Sequence, residues 1–209
     1  LVNIINKSIT NCPNKFVEPL DIKNPYTNIP FSKADLYNIY FKINKTQLAH
    51  SLLFNCYFKC NFNKNEFTNK YEQMILDEYL KNYFKELTID KKYKLAIELL
   101  RKYKKTSTAM RMFDLSKITR VQPYTIINKS LVVDNFNTCI EKYIFVKYSL
   151  NQSLRYQYER EIIKYIASFA DNNKDFTAIV KKKYCNVKSK TKQIIFGPLK
   201  QLNKFLFDI

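Results

Sequence analysis

The chain has 209 residues, 46% of them hydrophobic and 15% aromatic, and its 36 basic against 18 acidic side chains give a formal charge of +18. That is enough apolar material for one domain burying roughly 70% of its unfolded surface, and it excludes the disordered class. A single glycine, Gly197, excludes a phosphate-binding P-loop, a GxGxxG turn and a GxSxG elbow, and a single histidine, His50, removes the imidazoles on which most acid–base and zinc chemistry relies.

Residues 1–31 hold four of the six prolines, Pro13, Pro19, Pro25 and Pro30, and little periodicity, so they predict an extended N-terminal arm that wraps over the body or a neighbour. Leu1 to Thr10 lacks the basic region, apolar run and small-residue cleavage site of a signal peptide. A first residue other than methionine fits a processed product or a fragment. In NPYTNIPFSKADLYNIYFKI, residues 24–43, Asn24-Pro25 opens a turn and Ser32 with Asp35 makes a capping box. Phe31 and Leu36 complete a hydrophobic staple, and Leu36, Ile39, Tyr40 and Ile43 share one helical face. A helix over 33–44 follows.

Thr46 is expected to cap a second helix with Leu48, Leu52, Leu53, Cys56, Tyr57 and Cys60 on its apolar side. After the Asn61–Asn63 turn, Asn63 and Glu66 start a helix or helix pair carrying Phe67, Tyr71, Met74, Ile75 and Leu76 as far as Leu87. Asp90 then opens a segment in which Leu95, Leu99 and either Ala96 or Leu100 face inward. Residues 106–127 read as a loop with a short strand. From about Ser130 helical spacing returns in Phe136, Ile140, Tyr143, Ile144 and Tyr148. Beyond the Asn151–Ser153 turn, Leu154, Tyr158, Ile162, Tyr165, Ile166 and Phe169 form a long stripe. Phe176, Ile179 and Val180 begin a further helix, and Leu199, Leu202, Phe205 and Leu206 mark a short terminal one after Gly197-Pro198. The fold class is therefore mainly α: an irregular multi-helix bundle over 32–193, with the arm at 1–31 and a helical tail at 194–209.

The candidate binding feature is the run Lys181, Lys182, Lys183, Lys188, Lys190 and Lys192, with Tyr184 among them. Lysines neutralise phosphates without reading bases, which suits nucleic acid or an acidic partner; the same run also fits a solvated connector. A second patch, Lys91, Lys92, Lys94, Arg101, Lys102, Lys104 and Lys105, has the same two readings. Only five basic residues are arginine, and the abundance of Lys, Asn, Ile, Tyr and Phe matches AT-rich codons, so the charge has a functional and a genomic explanation. Five scattered cysteines, Cys12, Cys56, Cys60, Cys139 and Cys185, with no CxxC pair, read as free thiols in a reducing compartment. No metal, cofactor or small-molecule substrate is expected. The tyrosines and phenylalanines, 16 of each, are expected in the core and at interfaces.

The stretch at 24–43 resembles a motif in uncharacterised proteins of large nucleocytoplasmic DNA viruses of the mimivirus-like kind, and FNCYFKCNFNKNEFTNKYEQMILDEYL, residues 54–80, looks like its continuation. The resemblance implies a viral protein and brings no catalytic residues with it. The expectation that follows is a non-enzymatic structural component of a giant-virus particle, a minor capsid or virion-associated protein, present in the virion and in host cytoplasm during assembly. Its partners would be other virion proteins, with nucleic acid or an anionic membrane surface as further acidic surfaces. The alternative is a nucleic-acid-binding protein of the viral core or transcription machinery, using the lysine run on phosphates.

Overall fold

In the computed structural model, residues 1–46, 52–103 and 126–172 are described, with side chains for all but 126–128 and 170–172. These residues form seven α-helices and no β-strand, so the mainly α expectation holds. The helices are α1 (Val2–Ile9), α2 (Lys33–Lys45), α3 (Leu52–Lys59), α4 (Lys64–Glu86), α5 (Ile89–Tyr103), α6 (Ile126–Tyr148) and α7 (Gln152–Asn172), with a 3-10 turn at Pro13–Lys15. By internal packing the chain divides into two units. The first comprises Leu1–Glu86 and Ile144–Tyr158; the described residues of the second lie at 87–103, 126–143 and 159–172.

Residues 2–9, expected within an extended arm, form α1, because Ile5 and Ile9 stand one turn apart and both are buried, while the prolines begin only at Pro13. Thr10 closes the helix by donating its hydroxyl to the Asn6 carbonyl at 2.7 Å. The arm is extended only beyond the 3-10 turn, and it is pinned to its own unit. The Leu20 amide donates to the Ser8 carbonyl at 2.9 Å, the Glu18 amide to Asn11 at 3.0 Å, and Ile22 is buried.

The capping box of α2 is formed as expected. The Asp35 amide donates to Ser32 Oγ at 3.2 Å, and the Asp35 carboxylate accepts from the Ser32 amide at 3.0 Å. Ser32→Ala is expected to lower the unfolding free energy by about 1 kcal/mol, the usual worth of an N-cap, read from urea denaturation; an unchanged midpoint would show that α2 does not depend on it. Leu36, Tyr40 and Ile43 are buried, whereas Ile39 is only half covered. The start of the helix that Thr46 is expected to open falls among residues 47–51, which lie outside the described ones. The Thr46 hydroxyl bonds back to the Lys42 and Ile43 carbonyls at 2.9 and 3.1 Å, so it ends α2, the back-bonding that β-hydroxyl side chains offer a helix terminus.

Between α2 and α4 the unit is built from rings. Tyr40 stacks on Phe58 with centroids 3.8 Å apart and planes 6° from parallel, and its hydroxyl donates to Asn55 Oδ1. Phe62 meets Tyr37, Phe54, Tyr57 and Phe58 at 5.0, 6.0, 5.3 and 5.9 Å, and Tyr57 meets Phe67 at 4.9 Å. Leu53, Cys56, Tyr57 and Cys60 are buried as the spacing required, but Leu52 faces out and Phe54 takes the inner place. With glycine nearly absent, the turn into α4 uses Asn61 and Phe62 at φ 51° and 55°, left-handed conformations that cost an L-residue about 1–2 kcal/mol each. Asn63 then caps α4, accepting from the Glu66 amide at 3.2 Å. The helix is irregular at Tyr71 (φ −126°, ψ 17°) and buries Phe67, Ile75, Leu76, Leu80 and Phe84. Residues 144–158 complete the unit: Ser149 Oγ donates to Asp77 at 2.7 Å, and the Lys15 ammonium lies over the Tyr83 and Tyr148 rings at 5.3 and 5.0 Å.

In the second unit Thr88, not Asp90, caps α5, accepting from the Lys91 amide at 3.4 Å. Both Ala96 and Leu100 are buried, with Ile97, Leu99 and Tyr103, so the inner face is wider than the sequence left open. Val132, Val133, Phe136, Cys139, Ile140 and Tyr143 from α6, and Ile162 and Ile166 from α7, are buried in the same unit. Polar links close it. Glu159 accepts from the Tyr103 hydroxyl at 2.8 Å and the Lys102 ammonium at 3.0 Å, and Glu98 accepts from the Tyr143 hydroxyl at 3.0 Å. Of the loop expected at 106–127, residues 106–125 lie outside the described residues and 126–127 belong instead to the first turn of α6; the helix after 176 and the 194–209 tail also lie outside the described residues.

Candidate functional site

The run Lys181, Lys182, Lys183, Lys188, Lys190 and Lys192 lies outside the described residues, as do His50 and Cys185. The second basic patch is partly described. Lys91, Lys94 and Arg101 stand exposed at i, i+3 and i+10 along α5, on the side away from Leu99 and Leu100. Lys92 is half covered, and Lys102 is spent on Glu159. Three lysines in the first two turns of a helix oppose its macrodipole, which favours anions there. Asp90 is the local counterweight. It meets Lys129 at 2.6 Å, and the hydrogen bond and charge of that ammonium hold its carboxyl below the ordinary carboxylate value. Asp90 is open to solvent, and water and salt screen such a pair, so it adds little to stability. Lys91, Lys94 and Arg101 remain on the solvent side of α5.

Several carboxylates are engaged within their own unit: Asp21 with Lys64 at 2.7 Å, Glu161 with Lys142 at 2.7 Å, Asp77 with Ser149, and Glu98 and Glu159 with tyrosine hydroxyls. These acids serve internal bonding, and the excess of exposed lysines sets the sign of the field that a partner meets.

The cysteines do no comparable work. Cys12, Cys56, Cys60 and Cys139 are free and buried, and burial pushes Cys12 up to about 12 and Cys139 to about 11. At those values the Cys12 and Cys139 thiols carry almost no thiolate near neutrality. Among the described residues no three His, Cys, Asp or Glu side chains converge as a metal site would require, and no helix is long and apolar enough to cross a membrane.

Two surface features were not singled out by sequence spacing. One is a cavity of about 490 Å³ where the polar faces of α1 and α4 meet, lined by Asn3, Asn6, Lys7, Asn11, Glu78, Tyr79, Asn82, Tyr83 and Glu86. Burial raises the Tyr79 phenol above its usual value. An extended arm over 1–31 has no such face, which exists only once α1 is a helix.

The other is the loop at 24–29. Lys23 and Pro30 pair as an antiparallel bridge, the Asn24 amide donates to the Ile29 carbonyl at 2.9 Å, and the Asn28 amide donates to Asn24 at 2.8 Å. Asn24 Oδ1 accepts from the Tyr26 amide at 2.9 Å and Thr27 Oγ1 from the Ile29 amide at 3.4 Å. Asn28 turns the chain at φ 57°, a left-handed position that asparagine tolerates. At the tip Tyr26 is 95% exposed. The flanking Asn, Pro and Thr turn formers signal the bend in the sequence, but they do not say that its tip projects.

Compared with known protein families, curated proteins and solved structures, the chain gives no match.

Proposed function

We propose that this chain is a non-catalytic assembly protein of a large DNA virus particle, a minor capsid or virion-associated component that contacts acidic neighbouring proteins. It would reside in the virion, and in host cytoplasm while particles form. The observation that carries the reading is the division of charge: carboxylates engaged in internal bonds, and a net charge of +18 whose described cations stand largely on the outer faces of helices. The resemblance of residues 24–43 and 54–80 to proteins of such viruses supplies the setting. Purified particles separated into shell and core and probed for this chain are expected to contain it; absence from both fractions would end the proposal.

A second reading, nucleic-acid binding in the viral core or transcription machinery, is favoured by the exposed Lys91, Lys94 and Arg101 row and by the lysines at 181–192. Phosphate contacts release counterions, so affinity for a duplex DNA would fall steeply with salt, and charge reversal of Lys181, Lys182 and Lys183 would flatten the slope. The assembly reading expects only weak binding without that dependence on the three lysines.

A further inference from the structure

We propose that the loop at 24–29 is a recognition knob that seats the Tyr26 ring in an apolar pocket rimmed by carboxylates on a partner protein. The proposal rests on the assembly reading and names the contact through which it operates.

The loop is built to hold one shape before anything binds. Four hydrogen bonds run within it, a fifth from the Phe31 amide to the Ile22 carbonyl at 2.9 Å closes its base, and Pro25 and Pro30 remove two backbone freedoms. Ordering a flexible loop is one of the main costs of association, and here the fold has already met it. What this frame presents is a tyrosine, a side chain with two torsions that brings large contact area at small entropy cost and is enriched where binding energy concentrates. The rings around Phe62 pack against one another, whereas Tyr26, at 95%, is the most exposed ring described in the first unit, ahead of Phe16 at 76% and Tyr156 at 65%.

The chemistry of the neighbours selects the partner. Ile29 on the same loop is 64% exposed and Leu20 nearby in sequence 51% exposed. Aliphatic side chains offer no stacking surface to a nucleobase, whereas an apolar protein pocket desolvates both kinds of side chain together. Lys23 and Lys33 flank the loop and are exposed, while Asp21, the nearest acid before it, is occupied by Lys64. With +18 on the whole chain, an acidic rim is attracted and a second copy of the chain is repelled.

The test places p-benzoylphenylalanine at position 26 of the full chain, and at Tyr156, itself 65% exposed, as a control, in cells that naturally produce the chain. Light is expected to join position 26, and not 156, to one acidic protein. That protein, made separately and titrated, is expected to bind the wild type and to bind Tyr26→Ala at least tenfold more weakly. Asn24→Ala, which keeps the ring but removes the acceptor for the Tyr26 amide, is expected to weaken binding several-fold, with the Tm of both variants unchanged. Cross-links to nucleic acid or to a second copy, none above the control, or equal binding by Tyr26→Ala would each overturn the knob. If the chain is in particles and Tyr26→Ala binds normally, the knob fails and the assembly reading stands; if the chain is absent from particles and Tyr26→Ala binds tenfold more weakly, the knob stands and the assembly reading fails.

Discussion

Phe62→Ala is expected to lower the unfolding free energy by about 3–4 kcal/mol, and Phe62→Gly to lower it by about 1 kcal/mol less. The order is unusual, because glycine removes at least as much side chain as alanine and leaves a freer unfolded chain, which ordinarily makes it the worse replacement by about 0.5–1 kcal/mol. Two effects compete at this position. The Phe62 ring is buried among Tyr37, Phe54, Tyr57 and Phe58, and both variants lose that packing. Its backbone sits at φ 55°, and only glycine is relieved of the roughly 1–2 kcal/mol that a Cβ costs there. The strain relief outweighs the added entropy of the unfolded state. The chain has no tryptophan, so urea unfolding is followed by far-ultraviolet circular dichroism, with the slope checked for constancy. A glycine variant less stable than the alanine variant would mean that the left-handed turn stores no strain.

The second large effect is in thiol chemistry. Cys12, with an ordinary value of 9.0, is pushed up to about 12 by its surroundings, chiefly by burial. At pH 8 that cuts its thiolate fraction on the order of a thousandfold, and the corresponding factor for Cys139, at about 11, is on the order of a hundredfold. Iodoacetamide at pH 8 is therefore expected to leave the native peptides carrying Cys12 and Cys139 almost unlabelled, and to label them fully in urea, read by mass spectrometry. Rapid labelling of native Cys12 would refute its burial. The same shifts dictate a pH dependence. A folded value above the unfolded one means that the neutral thiol favours the native state below about pH 9, and this contribution is lost as the pH rises toward 12. Tyr57, raised from 10.0 to about 12 by burial and by the charge of Asp21, acts in the same direction over pH 10 to 12. The urea midpoint is expected to fall progressively from about pH 9 upward.

Local rules were legible wherever one residue decides one bond. Ser32 with Asp35, and Asn63 ahead of Glu66, are read from spacing alone because the side-chain oxygen reaches a backbone amide three residues on. Thr46 shows the ambiguity of the same rule, since a β-hydroxyl closes a helix as readily as it opens one, and its hydroxyl here bonds back to the Lys42 and Ile43 carbonyls. The inner faces of α3 and α5 were found within a residue or two, whereas α6 buries Val132, Val133, Phe145 and Val146 besides the predicted stripe, because neighbours cover more than one side. The α7 stripe is a helix, yet Tyr165 stays exposed and reaches out to the Asn135 carbonyl at 2.6 Å. Periodicity reports a side, not what lies against it. The candidate knob was hidden for a related reason: turn-forming residues announce a bend, but exposure is a property of the finished surface. The charge was legible in amount only; which lysines have acidic neighbours is a matter of long-range placement.

The first unit is assembled from two separated stretches, 1–86 and 144–158, and this sets an order of events on the ribosome. When Glu86 has been added, the residues that meet Lys15 and Asp77 in the finished unit, Tyr148 and Ser149, do not yet exist. At about 5–20 residues per second, synthesis of residues 87–158 takes roughly 4 to 14 seconds. For that interval a nascent chain rich in phenylalanine and tyrosine waits with one side of its first unit open, the kind of transiently exposed apolar surface that chaperones shield during synthesis.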